Sequence, residues 1–191
     1  EKEKKDLYIE GIQNNGIINH YEYIINSEGT IEIRHVLKPE GKMPLWFPRI
    51  GLTLTVSDAL DQVKWYGRGP QENYPDRKTG YPTGIYASTV QAMYEPYLMP
   101  QDYGLRTDVR WLQLTTDKGI GLQFKMNEWF NFNIYPYSTD NLTKAMYTYQ
   151  LQKQKGMTLN LDYATTGVGC TARGVFGAYK AMPQEYRRTI S

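Results

Sequence analysis

The residues of this 191-residue chain that could do chemistry crowd between Gly67 and Asp108, where Glu72, Asp76, Arg77, Glu95, Asp102, Arg106 and Asp108 stand among Pro70, Pro75, Pro82, Pro96 and Pro100. A pair of carboxylates, one protonated and one ionised, is what cleavage of a glycosidic bond requires. The same residue types have a second use. Proline-rich irregular backbone leaves N–H and C=O groups without ladder partners, and carboxylates and guanidinium groups can satisfy them. The second use is the favoured reading: Glu72 with Arg77, or Asp76 with Arg106, would be buried pairs holding two loops together. No catalytic residue is assigned.

Other constellations are weaker. His20 and His35 lie early in the chain and do not resemble the His acid and Glu base that a sugar epimerase sets around a ring oxygen, so they read as surface or strand residues. With Cys170 they show no ligand spacing, and no metal site is assigned. Gly67-x-Gly69 is followed by Pro70 where a nucleotide-binding helix would begin. Cys170 has no neighbouring His or Asn and reads as a passive thiol. Asn141-Leu142-Thr143 fits a glycosylation triplet that also arises by chance. Trp65, Trp111 and Trp129 fall in strand-like segments and read as core. Tyr94, Tyr97 and Tyr103 fall in loops, and of these Tyr97 and Tyr103 are selected as sugar contacts, because a ring face packs on C–H groups while the hydroxyl bonds at the edge.

Composition bounds the setting. A balance of 22 Lys and Arg against 20 Asp and Glu leaves a net charge of +2, too small for the basic stripe of a nucleic-acid binder or for attachment to an anionic membrane. No apolar run approaches the roughly 20 residues of a membrane helix. Glu1 to Asp6 is charged throughout and reads as a linker or the end of a preceding domain; any targeting signal would lie upstream, so cytoplasm and periplasm both remain open. A single Cys excludes an internal disulfide.

The elements that must position these residues are strands. Ile31, Ile33 and His35 alternate with Glu32, Arg34 and Val36; Leu52, Leu54 and Val56 alternate with Thr53, Thr55 and Ser57; Ile120 to Met126 alternates likewise. Turn signals separate them at Asn14-Asn15-Gly16, Ser27-Glu28-Gly29 and Thr116-Asp117-Lys118-Gly119. Lys38 to Pro44 reads as a loop. Only Ser138 to Tyr149 suggests a helix, with Ser138 as N-cap. The sum is one all-β domain over 1–191, a large antiparallel β-sandwich with at most one short helix.

The run Trp65-Tyr66-Gly67-Arg68-Gly69-Pro70-Gln71-Glu72-Asn73-Tyr74-Pro75-Asp76-Arg77 resembles the signature of the C-terminal sandwich domain, or small chain, of glycoside hydrolase family 2 β-galactosidases. Pro48 to Leu52, Tyr94 to Arg106 and Gly167-Val168-Gly169 follow in the family's order, so the resemblance covers roughly Leu45 to Gly169. Asp102-Tyr103 stands where the family usually has Glu-Asn.

The resemblance implies a galactose mutarotase-like supersandwich that is the C-terminal part of a larger glycosidase. The catalytic carboxylates, and any Mg or Na, would belong to a preceding (β/α)-barrel, and the sandwich would pack on it. The parent enzyme would act on terminal β-galactosides and could be a homo-oligomer. Gly69, Pro70, Glu72, Asn73, Tyr74, Asp76, Arg77 and Arg106 would be the structural motif, and Cys170, Thr171, Arg173 and Gly174 a loop edging the substrate site without the Trp that one branch of the family places there. The alternatives are a free-standing carbohydrate-binding module and an aldose 1-epimerase.

Overall fold

The computed structural model describes residues 2–10, 16–41, 47–168 and 186–190. Ten strands are all joined by antiparallel pairing: β1 (Lys2–Glu10), β2 (Gly16–Ile25), β3 (Ile31–Glu40), β4 (Arg49–Val56), β5 (Gln62–Arg68), β6 (Thr83–Thr89), β7 (Arg106–Thr115), β8 (Gly121–Tyr135), β9 (Met157–Thr165) and β10 (Tyr186–Ile190). They run in the order β1-β2-β3-β10-β8-β7-β5-β6, and β9 joins β8 to β4. The 15-residue β8 is the shared strand. Gly121 to Phe132 pair with β7 across two register shifts, Met126 opposes Ile190 of β10, and Asn131 to Tyr135 pair with β9.

The all-β sandwich predicted from alternation is what the chain forms. On β8 the even positions Phe130, Phe132 and Ile134 are buried in one core with Leu159 and Leu161 of β9, Val63 and Trp65 of β5, and Leu112 and Leu114 of β7. Each such side chain stabilises the fold by roughly 1.5–3 kcal/mol through removal from water. The hairpin turns are as expected: Gly29 and Gly119 adopt φ of +83° and +78°, and the Asn26 side chain closes the first turn by accepting from the Glu28 and Thr30 amides. Asn14 and Asn15 lie outside the described residues.

Four expectations change. Residues 2–6 are paired strand in β1 rather than linker. β3 continues through Pro39, which the ladder tolerates because β10 pairs only as far as Leu37 and leaves Pro39 with β2 alone among the described residues. The helix is shorter: Ser138 caps it by accepting from the Asn141 amide, but α1 (Thr139–Lys144) stops there, and a 3-10 turn at Thr148–Gln150 follows. Trp129 is not core, being 58% exposed, and Trp111 is only half-buried and belongs to no core cluster.

His35 is a strand residue of β3, as expected, and a buried one. It stacks on Tyr21 with ring centroids 4.2 Å apart, and its ring nitrogens lie 2.7 Å from the Tyr163 hydroxyl and 3.0 Å from Asn19 Oδ1. Asn19 Oδ1 can only accept, so Nε2 carries the proton and Nδ1 accepts from Tyr163. The neutral ring thus pins β2 and β3 to β9. Burial lowers its pKa from 6.5 to about 4. Because the folded value is depressed, the stability tied to His35 is fully present above pH 6.5 and is lost as pH falls towards 4, where the unfolded chain takes up a proton that the fold refuses. Urea midpoints for the wild type should decline across that window, and His35→Gln should flatten the decline.

Candidate functional site

Beyond β5 the chain makes a cis Gly69-Pro70 bond and folds back on the start of β7. A Cβ at Gly69 would sit 2.7 Å from the Tyr86 ring and 3.0 Å from Trp65, so only glycine passes there. Asn73 makes the join: its amide donates to the Leu105 carbonyl (2.8 Å), and its Oδ1 accepts from the Thr107 amide (3.1 Å) and hydroxyl (2.6 Å). The carboxylate of Glu72 accepts from the Tyr74 hydroxyl (3.0 Å), Arg77 (2.8 Å), the Gly104 amide (2.9 Å) and the Tyr97 hydroxyl. Burial pushes this carboxyl up, but the four donors outweigh burial and hold it below its ordinary pKa.

The expected Glu72–Arg77 pair is therefore present. The expected Asp76–Arg106 pair is replaced by other contacts. Arg106 donates to the Gly104 carbonyl (2.9 Å) and lies 5.3 Å over Trp65, while Asp76 accepts from the Val168 amide (3.2 Å). Burial lowers the Arg106 guanidinium to about 10, against the attraction of Glu72 and Glu95.

The odd positions of β8 build a second layer that alternation alone does not announce. Asn133 donates to Asp102 (2.9 Å) and to the Tyr103 carbonyl (3.0 Å), and Asn160 donates to Asn133 (2.8 Å) and Tyr135 (3.0 Å). Arg49 spans two carboxylates, 2.8 Å from Asp102 and 3.0 Å from Asp162. At the β4–β9 irregularity a Cβ on Gly51 would lie 2.4 Å from the Leu161 carbonyl, so glycine lets the two strands close over Asp162. Asp162 is 1% exposed. Burial pushes its carboxyl up to about 8; Arg49 opposes that rise and Asp102 adds to it.

This layer borders a cleft of about 520 Å³ lined by Arg49, Asp102, Tyr74, Tyr135, Thr139 and Thr143, with Thr165 to Val168 along one side. Asp76 holds Val168 at its mouth. The sequence reading named Asp102 but missed Arg49 and Asp162 as a unit; the period-2 polar positions Asn131, Asn133, Asn160 and Asp162 were the available signal. Chemically the cleft offers paired donors and acceptors. Asp162 is sealed behind Arg49 and cannot reach a ligand.

A separate surface lies on the outer face of β5 to β8. The row Ile85, Tyr66, Trp111, Lys125 runs across it, and Ala87, Lys64, Gln113, Gln123 form the next row, with no carboxylate in either. The β7 bulge, with Asp108 at φ +55°, sends Asp108 to Arg68 and Lys78 (2.6 Å each). Arg110 is left lying between the Tyr66 ring (4.7 Å) and the Trp129 ring (4.4 Å).

Of the residues selected from the sequence, Tyr97 is half-buried on Glu72, and Tyr103 is buried rather than an exposed contact. Cys170, Thr171, Arg173 and Gly174 lie outside the described residues. Among the described residues no three His, Cys, Asp or Glu side chains gather to hold a metal ion, so no chemistry is routed through one.

Asp162 yields a prediction with the opposite sign to His35. Its folded pKa is raised, so its contribution is fully present below the unfolded value and is lost as pH rises towards 8. Asp162→Asn, which does not titrate, should gain stability relative to the wild type between pH 5 and pH 8.5, read as the difference in urea midpoints.

Residues 4–190 match the family model described as the β-galactosidase small chain. The β-galactosidase of Priestia megaterium is 38% identical over 147 residues, 77% of this chain and 14% of that protein. Those of Vibrio cholerae (39% over 122 residues; 64% and 11%) and Pseudoalteromonas haloplanktis (33% over 159 residues; 81% and 14%) are similar. The chain thus spans about an eighth of the length of these relatives, and it belongs to the β-galactosidase small-chain family.

Proposed function

We propose that this chain is the non-catalytic sandwich of a β-galactosidase, packing on a catalytic (β/α)-barrel and edging the site where terminal β-galactosides are hydrolysed. The observation that carries the reading is the outer face of β5 to β8. Trp129 and Ile85, 58% and 62% exposed, flank the Arg110 stack on a surface bearing cations and no carboxylate in its two rows. Exposed aromatic and arginine clusters of this kind are the composition of an interface core, and burying them stabilises an assembly. The relatives' much greater length supports a covering partner in the same polypeptide. The cleft supports the second half of the reading, because Thr165 to Val168 line it beside Arg49 and Asp102.

The face is tested in a polypeptide that joins this chain to a β-galactosidase barrel. Trp129→Ala with Arg110→Glu should lower the thermal midpoint and the yield of active enzyme, while the same changes leave unfolding of the separate chain nearly unaltered. Unchanged assembly would remove the packing role. The loop is tested by Arg173→Ala in the same polypeptide, which should weaken binding of a disaccharide on the side away from galactose by about 1.5–3 kcal/mol, the worth of a hydrogen bond to a charged group. Equal affinity for every disaccharide would remove the edging role, and cleavage of a chromogenic galactoside by the separate chain would overturn the non-catalytic assignment.

A further inference from the structure

Arg110 is held on the outer face with both sides of its guanidinium covered, Cζ lying 4.7 Å from the centre of the Tyr66 ring and 4.4 Å from that of Trp129. Stacking leaves the rim of the group open. Along that rim Nη1 donates to the Asp108 carbonyl at 3.3 Å, and no carboxylate among the described residues pairs with it. The Asp108 side chain, two positions away, is committed to Arg68 and Lys78 at 2.6 Å each. Glu128 has the parity of Phe124, Met126 and Phe130, which pack on the core, and so falls on the other side of β8 from Trp129. Lys64 and Lys125 are exposed in the two outer rows, which hold no acid. The face thus carries three cations with no carboxylate of its own to answer them.

We infer that the surface covering this face is acidic and presents a carboxylate in the plane of the Arg110 guanidinium, paired with it through two parallel N–H donors, with further acids opposite Lys64 and Lys125. The inference rests on the reading that the outer face packs on the barrel, and it names what the barrel brings to the contact. Two physical points carry it. A guanidinium covered by a partner loses its water, and burying that charge without an acid is strongly unfavourable, so an interface that closes over Trp129 and Arg110 must supply one. The two rings also hold the fork in a single plane before any partner arrives, which lowers the ordering cost of pairing and sets the direction from which a carboxylate must approach. A phosphate would meet the same fork, but three cations on a chain of net charge +2 are too few for a polyanion.

The test compares thermal midpoints of Trp129→Ala, Arg110→Gln and Arg110→Glu, each alone, in the polypeptide that joins this chain to a β-galactosidase barrel. Arg110→Gln should lower the midpoint by roughly 5–10 °C through loss of the charge pair. Arg110→Glu should lower it further, because two carboxylates then face each other, and raising NaCl from about 0.05 to 0.5 M should narrow the gap between the two variants. As a second measurement, the amine introduced by Arg110→Lys should be joined by a zero-length carbodiimide to an Asp or Glu of the barrel, with the linked peptides mapped by mass spectrometry. Equal midpoints for Arg110→Gln and Arg110→Glu beside a lowered one for Trp129→Ala would overturn the acidic partner and leave the packing role standing. So would the absence of any link from position 110. Unchanged midpoints in all three variants would remove the packing role and the inference together.

Discussion

One carboxylate organises the irregular segments between β5 and β7. Glu72 receives donors from Tyr74 and Arg77 in its own loop, from Tyr97 in the loop after β6, and from the Gly104 amide at the entry to β7. The side chain is largely buried, and a buried charge is tolerable only when its lone pairs are filled. Here two phenols, a guanidinium and a backbone amide fill them. The Gly104 bond has the longest reach. By fixing Gly104 at φ +77° it orients the two preceding residues, placing Asp102 on Arg49 and Asn133 while the Tyr103 ring packs on Tyr94 and Tyr135. The cleft and the tyrosine cluster therefore depend on the same anchor.

The strand β8 plays the corresponding part for the regular core. Its even positions serve the apolar core, and its odd positions past Trp129 carry the polar layer beneath Asp102. Alternation in the sequence revealed the first set because Phe130, Phe132 and Ile134 declare a buried face. It could not reveal the second. Polar residues at every other position of a strand look solvent-facing, and what covers Asn133 and Asn160 comes from the Asp102-Tyr103 segment and from Tyr135, contacts that local pattern does not encode. Trp129 failed for the converse reason: a large aromatic in a strand implies burial, yet its outward position and the β7 bulge leave it against Arg110 instead. The Glu72–Arg77 pair could be foreseen because both residues belong to one short loop; Asp76 and Arg106 lie 30 positions apart, and their partners were set by how the loops close.

The departure from the family's usual segment gains a physical meaning. Asp102, where the resemblance expects Glu, reaches Arg49 and Asn133 at 2.8 and 2.9 Å and so bridges β4, β8 and the loop. Tyr103, where Asn is usual, brings a ring in place of an amide. That ring meets Tyr94 and Tyr135 at centroid distances of 5.3 and 5.4 Å, which builds an aromatic cluster next to the polar layer.

Two buried titratable groups set the pH response of the sandwich from opposite sides. His35 holds its proton less tightly than in solution because burial disfavours imidazolium. Asp162 holds its proton more tightly because burial disfavours carboxylate, and Arg49 only partly compensates since it is shared with Asp102. As pH rises from about 4 to 6.5, the His35 contribution grows while the Asp162 contribution shrinks, and each involves one proton, so their slopes oppose. Above 6.5 His35 is neutral in both states and only the Asp162 loss continues. The two residues sit on different sides of β9, one bonded to Tyr163 and the other paired with Arg49, and share no partner. Their effects should therefore combine additively, as those of separate sites do.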